Sequence, residues 1–431
     1  MSKVELKDIS RIHFIGIGGI GMSALARFFL NEKKSVSGSD RVASQITDAL
    51  QIEGVTIFTE QVANNITKDI EMVVYTEAMS HDQEEMITAQ AHGVPMMNYF
   101  EALGLVANPY YLIAVSGTHG KTTTTAMLTD IFEANEKDPT TIVGSLRAKT
   151  KSNFRAGKSK YAIVEACEYK RDFLSLKPDV LVITNIEFEH TDYYKDLADV
   201  QDAFRTLALQ VNEGGVVIAN TKDVAVLPII TGLKNVIDYT EFLDITMPMK
   251  QPGFHNRMNA AAALAVAQNE KLDTNTSRDA LSEFAGTWRR FEYKGEFQSV
   301  PVYDDYAHHP TEIKATLEGV RELYPERDIT IVFEPHTFSR TSMLFDDFAK
   351  VFSYADRVLL LPIYAAREDN PKGISSRELA VKSLDYNKNV LYVPTYEDAI
   401  QNLKEATKSN DVIVILGAGS ITKLAGELVA L

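Results

Sequence analysis

A short glycine-containing turn between an apolar strand and a helix constrains this chain most. The strand pattern is Tyr111–Val115, and residues 116–123 read Ser-Gly-Thr-His-Gly-Lys-Thr-Thr. In such a turn, backbone N–H groups and the helix N-terminus face a bound phosphate. A lysine reaches the terminal phosphates, and a hydroxyl reaches a magnesium ion. The stretch predicts a phosphate loop with Lys121 and Thr122 in these roles. The alternative is an ordinary turn with a solvated lysine.

The spacing of this turn differs from the common pattern G-x-x-x-x-G-K-[S/T]. Val115 stands where the first glycine would be, so the glycines are Gly117 and Gly120. Strand, glycines, lysine and hydroxyls still follow one another in the order that a phosphate loop requires.

A second glycine-rich turn lies near the N-terminus. Residues 11–15 predict a strand, residues 16–21 read Gly-Ile-Gly-Gly-Ile-Gly, residues 22–30 predict a helix, and a second strand pattern ends at Asp40. In a dinucleotide-binding unit of this order, the glycines approach a pyrophosphate and the acid binds a ribose. The first interpretation is therefore an NAD site. A site for the pyrophosphate of another nucleotide and a turn without a ligand are the alternatives.

The composition is that of a globular protein with more than one core. The chain has 431 residues, of which 45% are hydrophobic and 24% charged. A net charge of −15 argues against binding of nucleic acid or an anionic membrane, although a local site for a small anion stays open. We find no membrane-spanning run and no signal segment, and Cys167 is the single cysteine. We therefore predict a cytoplasmic protein without membrane insertion.

Strand and helix patterns alternate along the chain, which predicts an α/β fold. The Asn108-Pro109 dipeptide suggests a hinge before the phosphate-loop strand, and a third α/β unit begins after Trp288–Phe291. The predicted domains are residues 1–108, 109–293 and 294–431.

Polar residues follow two further apolar strand patterns, at residues 161–164 and 180–184. They are Glu165, Glu168, Asn185, Glu187 and His190. Ligands of an open parallel sheet bind at the carboxyl ends of its strands, so we expect these side chains beside Lys121. Because carboxylates are preferred ligands of Mg²⁺, the set predicts a magnesium and phosphate site. For each residue alone, a capping or solvated polar group is the alternative.

An alanine-rich helix begins near Gly253–Asn259, which contains one histidine and two asparagines. These side chains either cap the helix or bind the edge of a purine. Cys167 is expected to be a small buried residue. A role as a nucleophile is not expected, because nothing near it resembles a Cys/His pair.

These motifs, in this order, resemble the Mur ligase family over essentially the whole chain. The matching segments are Gly16–Ala26, Ser116–Thr125, Glu165–Glu168, Thr184–Asp192, His255–Ala261, Trp288–Phe291, Asp304–Glu312 and Phe333–Thr341. The resemblance implies a Rossmann-like UDP-binding domain, a central P-loop ATPase domain and a C-terminal Rossmann-like domain that receives an amino acid. It also implies that the N-terminal turn holds a UDP-sugar instead of NAD.

The resemblance implies several groups of site residues. The UDP-sugar residues are Gly18, Gly19, Ile20, Gly21, Met22, Ser23, Ser39 and Asp40. The ATP residues are Gly117, Thr118, His119, Gly120, Lys121, Thr122, Thr123, His255, Asn256, Asn259, Arg290 and Asp304. The amino-acid residues are Tyr306, His308, His336 and Arg340. Two Mg²⁺ ions are implied, with Thr122, Glu165 and His190 as ligands, and the catalytic residues are Lys121, Glu165, His190, His336 and Arg340.

The chain departs from the family pattern at two positions. Thr337 stands where many relatives have arginine, so a substrate contact is not carried over to it. Cys167 stands where the commoner sequence has aspartate, but the matching Glu165 is retained.

The implied activity is ATP-dependent joining of L-alanine to the lactyl carboxylate of UDP-N-acetylmuramate through an acyl phosphate, in peptidoglycan precursor synthesis, by a monomer or homodimer. His190 and His336 are both candidates to accept the proton of the alanine amine. The alternative within the family is a recycling ligase that adds an intact murein tripeptide. Residues 165–169 lean slightly toward the recycling ligase, and residues 336–340 lean toward alanine addition.

Two alternatives come from other classes of protein. A nicotinamide oxidoreductase would account for residues 16–40 but leaves the phosphate loop unexplained. A non-catalytic nucleotide-binding switch would account for both glycine-rich turns, and loss of turnover on replacing Lys121 would distinguish a ligase from it.

Overall fold

The structure of the protein, a computed structural model, describes residues 6–80, 82–190, 193–366, 368–370 and 373–431. Within these residues the strands form three sheets, whose strands pair mostly in parallel and alternate with helices. The predicted α/β class is therefore confirmed. None of the described helices is long and apolar enough to cross a membrane.

The first sheet carries the N-terminal glycine-rich turn. Its strands are β1 Arg11–Ile15, β2 Ser35–Ser39, β3 Thr56–Phe58, β4 Met72–Tyr75 and β5 Met96–Asn98. Its helices are α1 Ile20–Asn31, α2 Gln45–Glu53, α3 Glu84–Ala91 and α4 Tyr99–Ala107. The strand order is β3-β2-β1-β4-β5, so β1 lies where the order reverses. In such sheets a ligand binds in the crevice at this reversal, which is where the glycine-rich turn leaves β1.

The second sheet carries the predicted phosphate loop. Its strands are β6 Tyr111–Ser116, β7 Thr140–Ile142, β8 Phe154–Arg155, β9 Tyr161–Glu165, β10 Val180–Ile183, β11 Val216–Ala219 and β12 Val236–Asp238. The helices are α5 Lys121–Ala134, α6 Leu197–Leu209, α7 Leu227–Ile230, α8 Phe254–Asn269 and α9 Thr274–Ser282. The order is β12-β11-β10-β6-β9-β7-β8, and of the described strands of this sheet only β8 is antiparallel to its neighbour. Because β6 lies between β10 and β9, the polar turns after those strands flank the loop after β6.

The first and second sheets share one hydrophobic core. Phe14 of β1 and Ala114 of β6 belong to the same cluster of buried residues. The ring of Phe28 on α1 meets the ring of Phe154 on β8 edge-on, with centroids 6.2 Å apart. Burial of apolar surface thus holds these two sheets together.

The third sheet is buried on both faces. Its strands are β13 Glu292–Phe297, β14 Val300–Asp305, β15 Asp328–Phe333, β16 Arg357–Leu360, β17 Val390–Tyr392 and β18 Asp411–Leu416. Its helices are α10 Pro310–Leu323, α11 Phe338–Met343, α12 Phe345–Val351, α13 Ser376–Ser383, α14 Tyr396–Ala406 and α15 Thr422–Val429. The order is β13-β14-β18-β15-β16-β17. On β15, Ile331 and Phe333 pack into one cluster and Val332 into the other, as expected of a strand covered on both sides.

Contacts divide the chain into two compact units. One consists of Met1–Met247 and Met258–Glu283, and the other of Pro248–Arg257 and Phe284–Leu431. The first unit contains the first and second sheets, and the second unit contains the third. The domain bounds at 108/109 and 293/294 stay predictions.

Two helix glycines, Gly104 in the first unit and Gly426 in the second, give a matched test of how closely α4 packs. A Cβ atom on Gly104 of α4 would lie 2.7 Å from the backbone oxygen of Ser175, whereas one on Gly426 of α15 would have no described heavy atom within 4 Å. We expect Gly104→Ala to destabilise the protein by about 1–3 kcal/mol because the backbone must shift. Gly426→Ala should stabilise it by about 0.5–1 kcal/mol, since alanine favours the helix. Chemical denaturation checks both values, and equal effects would contradict the close packing of α4.

Candidate functional site

The turn between β6 and α5 requires glycine at two positions. Gly117 has a φ of 134° and Gly120 a φ of 84°. A Cβ atom on Gly117 would overlap the Thr184 hydroxyl, and one on Gly120 would overlap the side-chain oxygen of Asn259. Because any other residue would be both strained and obstructed, the glycines set the path of the loop.

The turn after β10 braces this loop. The Thr184 hydroxyl donates to the His119 carbonyl at 2.5 Å, and the side-chain amide of Asn185 donates to the same oxygen at 3.0 Å. The His119 N–H donates to Asn185 Oδ1 at 2.9 Å, and the Glu187 N–H donates to the Thr118 hydroxyl at 2.8 Å. Asn185 and Glu187 therefore lie beside the loop, as the strand-end argument expects, and they fix its backbone.

Lys121 is held at the first turn of α5 by its own loop and by a carboxylate. Its Nζ donates to the carbonyls of Gly117 at 2.6 Å and Thr118 at 3.0 Å. Nζ also lies 2.8 Å from Glu168 Oε2. Burial on its own would lower the pKa of Lys121, but the nearby carboxylates, above all that of Glu168 and also that of Glu165, outweigh it and raise the pKa above its usual range. The amine is therefore a cation at neutral pH.

Thr122 and Glu165 meet as a hydroxyl and a carboxylate. The Thr122 hydroxyl donates to the Glu165 carboxylate and lies 2.8 Å from Oε2 and 3.1 Å from Oε1. The Gly144 N–H donates to Glu165 Oε2 at 2.9 Å and orients the carboxylate. Thr123 follows Thr122 in the first turn of α5. A hydroxyl next to a carboxylate is a donor set that suits Mg²⁺.

A second group of possible metal ligands lies at the same strand ends. Ligand atoms of Glu168, Glu189 and His190 lie within 4.8 Å of one another, and His190 has a positive φ of 54°. Two carboxylates and one imidazole, with the Thr122 and Glu165 oxygens, fit the hard, oxygen-rich set that Mg²⁺ takes. Of the residues matched by the resemblance, Thr191 and Asp192 lie outside the described residues.

The thiol of Cys167 lies near the charged groups of Glu168, Lys121 and Glu165, but it is not a nucleophile. Its burial and the neighbouring Glu168 carboxylate raise the pKa of the thiol to about 12. A protonated thiol is a poor nucleophile, as expected of Cys167 from the sequence. The expected burial is met only in part, because the residue is half-buried in the structure.

The N-terminal turn is closed by Asp40. The Gly18 N–H donates to Asp40 Oδ2 at 2.9 Å, and the Val42 N–H lies 3.2 Å from Oδ1. Gly19 precedes α1 as its N-cap, and Ile20, Gly21, Met22 and Ser23 form the first turn of that helix. Asp40 thus ties the turn to the end of β2, and its predicted nucleoside contact stays a prediction.

Gly21 and Ser39 are each covered by a residue that sequence reasoning missed. A Cβ atom on Gly21 would lie 2.5 Å from the ring of Tyr99. The Ser39 hydroxyl is buried and donates to Glu85 Oε2 at 2.7 Å. The Ser39 hydroxyl is therefore engaged with Glu85, and its predicted nucleoside contact stays a prediction.

Asn153 joins the N-terminal turn to the second sheet. Its side-chain amide donates to the Ile20 carbonyl at 2.5 Å and to the Ser23 hydroxyl at 2.9 Å. Its Oδ1 accepts from Arg27 at 2.6 Å. Asn153 is fully buried, and only the packing of distant segments brings it there, so no sequence motif indicates its role.

In the second unit, the predicted amino-acid residues gather in one aromatic cluster. The rings of Tyr306 and His308 have centroids 5.3 Å apart, and those of His308 and His336 are 6.0 Å apart. His336 stacks on Tyr364, which sequence reasoning missed, at 5.5 Å. Arg340 Nη1 lies 3.4 Å from His336 Nδ1. The structure brings these residues together at the end of β15.

His336 is a neutral imidazole in this cluster. Its burial, helped by the positive charges of His308 and Arg340, lowers its pKa to about 4. Thr337, which follows it, has a φ of 68° and is the N-cap residue that precedes α11. This φ is unusual for a β-branched residue and marks a strained position next to His336.

The two predicted ATP residues at the start of this unit differ in surroundings. Arg290 lies over the ring of Tyr306, 5.1 Å from its centroid. Asp304 is fully buried, accepts from the Thr422 hydroxyl at 2.5 Å and lies 3.7 Å from Arg289 Nε. Burial raises the pKa of Asp304 although Arg289 opposes it. Its predicted ATP contact stays a prediction, and its visible role is to anchor β14.

The predicted purine residues divide between the two units. Asn256, at the start of α8, donates its side-chain amide to the Pro252 carbonyl at 2.7 Å, which favours a local structural role. Burial lowers the pKa of the neighbouring His255 to about 4. Asn259 belongs to the first unit and packs against Gly120 of the phosphate loop. Of these asparagines, Asn259 is the one whose position next to the loop agrees with nucleotide binding.

Comparison with known proteins matches nearly all of this chain. Family models described as Mur ligase family catalytic domain, Mur ligase middle domain and Mur ligase glutamate ligase domain match residues 11–111, 115–241 and 289–419, respectively. A UDP-N-acetylmuramate–L-alanine ligase of Agathobacter rectalis is 39% identical, and the match covers 99% of each chain. The chain belongs to the Mur ligase family. A ligase of the same name from Clostridium tetani is 40% identical, again with 99% of each chain covered.

Solved Mur ligases have the same fold. The UDP-N-acetylmuramate–alanine ligase of Thermotoga maritima matches with a TM-score of 0.82 at 26% identity, covering 97% of this chain and 98% of that chain. A murein peptide ligase of Psychrobacter arcticus matches with a TM-score of 0.72 at 24% identity, covering 98% of each chain. The predicted three-domain Mur ligase fold is therefore confirmed.

The low pKa of His336 predicts a pH dependence of stability. An unfolded histidine takes up a proton near pH 6.5, whereas His336 in the folded protein does so near pH 4. Between these values the unfolded state binds more protons, so the unfolding free energy should fall as the pH falls. His336→Phe keeps a ring against Tyr364 and should lose less stability from pH 6.5 to pH 4. Chemical denaturation across this range checks it, and parallel curves for both proteins would contradict it.

Proposed function

We infer that this Mur ligase joins L-alanine to UDP-N-acetylmuramate with ATP as co-substrate. The observation that carries this inference is the identity of about 39–40%, over 99% of the chain, to ligases named for that reaction. The phosphate loop with a cationic Lys121 supports the use of ATP, because such a loop binds a triphosphate through its backbone and its lysine. A cytoplasmic location, as predicted from the sequence, completes the proposal.

The proposed reaction has two chemical steps. In the first, the lactyl carboxylate attacks the γ-phosphorus of ATP, the bond to the β-phosphate oxygen breaks, and an acyl phosphate and ADP form. In the second, the alanine amine attacks the acyl carbon, an amide forms, and inorganic phosphate leaves. The first step depends mainly on positioning the phosphates and neutralising their charge. Lys121 supplies one fixed positive charge at the loop.

Two Mg²⁺ ions complete the proposed site. Thr122 with Glu165, and His190 with Glu189, are the residues that would hold them. When bound, the ions would neutralise charge on the transferring phosphoryl group. The chain's own residues keep these ligands in place, since the Gly144 N–H orients Glu165.

The second step needs a group that accepts a proton from the alanine amine. His336 is one candidate, since it lies beside Arg340 and its imidazole is unprotonated at neutral pH, but a pKa of about 4 makes it a weak base. Arg340, close to His336, offers a positive charge for the carboxylate of alanine. His190 remains the second candidate for the proton acceptor.

A murein-peptide ligase is the second candidate function. The sequence of residues 165–169 leans toward it, whereas the match to the Psychrobacter arcticus enzyme, at 24% identity, is evidence for the fold alone. Phosphate release with UDP-N-acetylmuramate and ATP should be fastest with L-alanine in a panel of amino acids and the murein tripeptide. A clear preference for the tripeptide would overturn the first assignment, and no release with any acceptor would overturn both.

Replacing Lys121 tests the phosphate loop directly. Lys121→Ala removes the fixed charge of the loop and should lower kcat by about 100-fold or more. The matched control is Lys149→Ala, which also removes a lysine charge but far from the loop. The side chain of Lys149 is 60% exposed, and its amine pairs with Glu133 near the other end of α5. The control should keep wild-type turnover in the same phosphate-release assay. Unchanged turnover of Lys121→Ala would refute the role of this lysine.

A further inference from the structure

Glu168, one of the second group of possible metal ligands, is a buried carboxylate that also contacts the lysine of the phosphate loop. The side chain of Glu168 is only 2% exposed. The hydroxyl of Tyr194 donates to the Glu168 carbonyl at 2.5 Å and fixes the backbone from which the carboxylate projects. A buried charge of this kind is costly unless opposite charges and donors compensate it.

Lys121 and His190 compensate this charge. Lys121 Nζ lies 2.8 Å from Oε2 and 3.1 Å from Oε1 of Glu168. His190 Nε2 lies 3.4 Å from the same Oε1. Burial on its own would raise the pKa of Glu168, but Lys121 and His190 outweigh it and keep the pKa below its usual range. One carboxylate therefore links the loop lysine to a predicted metal ligand.

All three N–H donors of the Lys121 ammonium group are already engaged in this structure. An ammonium group has three N–H donors. In this structure they are engaged by the carbonyls of Gly117 and Thr118 and by the Glu168 carboxylate. A phosphate oxygen can therefore gain a hydrogen bond from Nζ only if one of these three acceptors releases it.

The hydrogen bonds from Lys121 to the loop carbonyls are weaker than its contact with the Glu168 carboxylate. The hydrogen bonds to the carbonyls of Gly117 and Thr118 have a neutral acceptor, whereas the contact with Glu168 joins two opposite charges in a buried setting. Charge-assisted hydrogen bonds are roughly twice as strong as neutral ones, and low dielectric strengthens them further. A bound phosphate should therefore displace a loop carbonyl and leave the contact with Glu168 intact.

We propose that Glu168 is a positioning residue that keeps Lys121 Nζ and the His190 ring in fixed places while the triphosphate of ATP binds. The proposal rests on the proposed function, because it assigns Lys121 to ATP. Glu168 itself need not touch the nucleotide. It keeps the charge of Lys121 at one point of the loop, where that charge opposes the charge of the transferring phosphoryl group.

The proposal predicts opposite effects on ATP binding and on turnover. Glu168 carries a negative charge close to the site for an anionic triphosphate, so its removal should leave the binding of ATP unchanged or make it tighter. Misplacing a charged group by about 1 Å costs on the order of 100-fold in rate. We therefore expect Glu168→Gln to lower kcat by about 10- to 100-fold while the Kd for ATP stays equal or falls.

The experiment compares three variants of the full chain with the wild type. Glu168→Gln removes the charge and keeps the shape, and Glu168→Asp keeps the charge one methylene further from Lys121. The control is Glu133→Gln, which removes a largely buried carboxylate that pairs with Arg147 and Arg155 at the far end of α5. The measurements are the Kd for ATP by calorimetry, with Mg²⁺ and with a chelator, and the kcat of phosphate release.

The expected result is lower kcat with unweakened ATP binding for Glu168→Gln, partial recovery of kcat in Glu168→Asp, and wild-type values for Glu133→Gln. Parallel loss of ATP binding and kcat would mean a merely structural role and would overturn the proposal. Weaker ATP binding only in Mg²⁺ would make Glu168 a metal ligand and would also overturn it. A kcat of Glu168→Gln equal to that of the wild type would overturn the proposal as well. Failure of the proposed function is separate, since it would appear as an inactive wild type.

Discussion

The close approach of the phosphate loop to the neighbouring turns is the constraint on which the first unit's site depends. Gly117 and Gly120 let the backbone pass against Thr184 and Asn259, where a Cβ atom would overlap either side chain. This path brings the carbonyls of the loop within reach of Lys121 and sets Thr122 beside Glu165. The lysine, hydroxyl and carboxylate are therefore positioned by backbone geometry before any nucleotide binds.

Much of the fold and part of this site could be predicted from the sequence. The order of strand, glycines, lysine and helix is local along the chain, so residues 111–134 required no knowledge of distant contacts. The meeting of Thr122 with Glu165 followed from a general property of parallel sheets, whose strand ends share one edge. Periodicity likewise indicated the α/β class, because buried strands and helices have different repeats.

The burial and the partners of several site residues could not be predicted, because they depend on contacts between segments far apart in sequence. Asn153 reaches Ile20 and Ser23 only because β8 packs near α1, and no motif surrounds it. Asp304 and Ser39 matched family positions, yet each lies buried against a partner, Thr422 or Glu85, that the sequence did not indicate. A motif identifies the type of residue at a position, whereas burial and partners are set by the packing of the whole unit.

The hydrophobic core shared by the first and second sheets has a consequence for how this chain could be divided or recombined. Phe28 of α1 packs against Phe154 of β8, and Gly104 of α4 lies against the backbone of Ser175. Residues 1–108, cut out as a separate piece, would present these contact surfaces to water and favour association over a stable monomer. An exchange of the N-terminal segment between related ligases would therefore have to carry over the matching surface around Phe154 and Ser175.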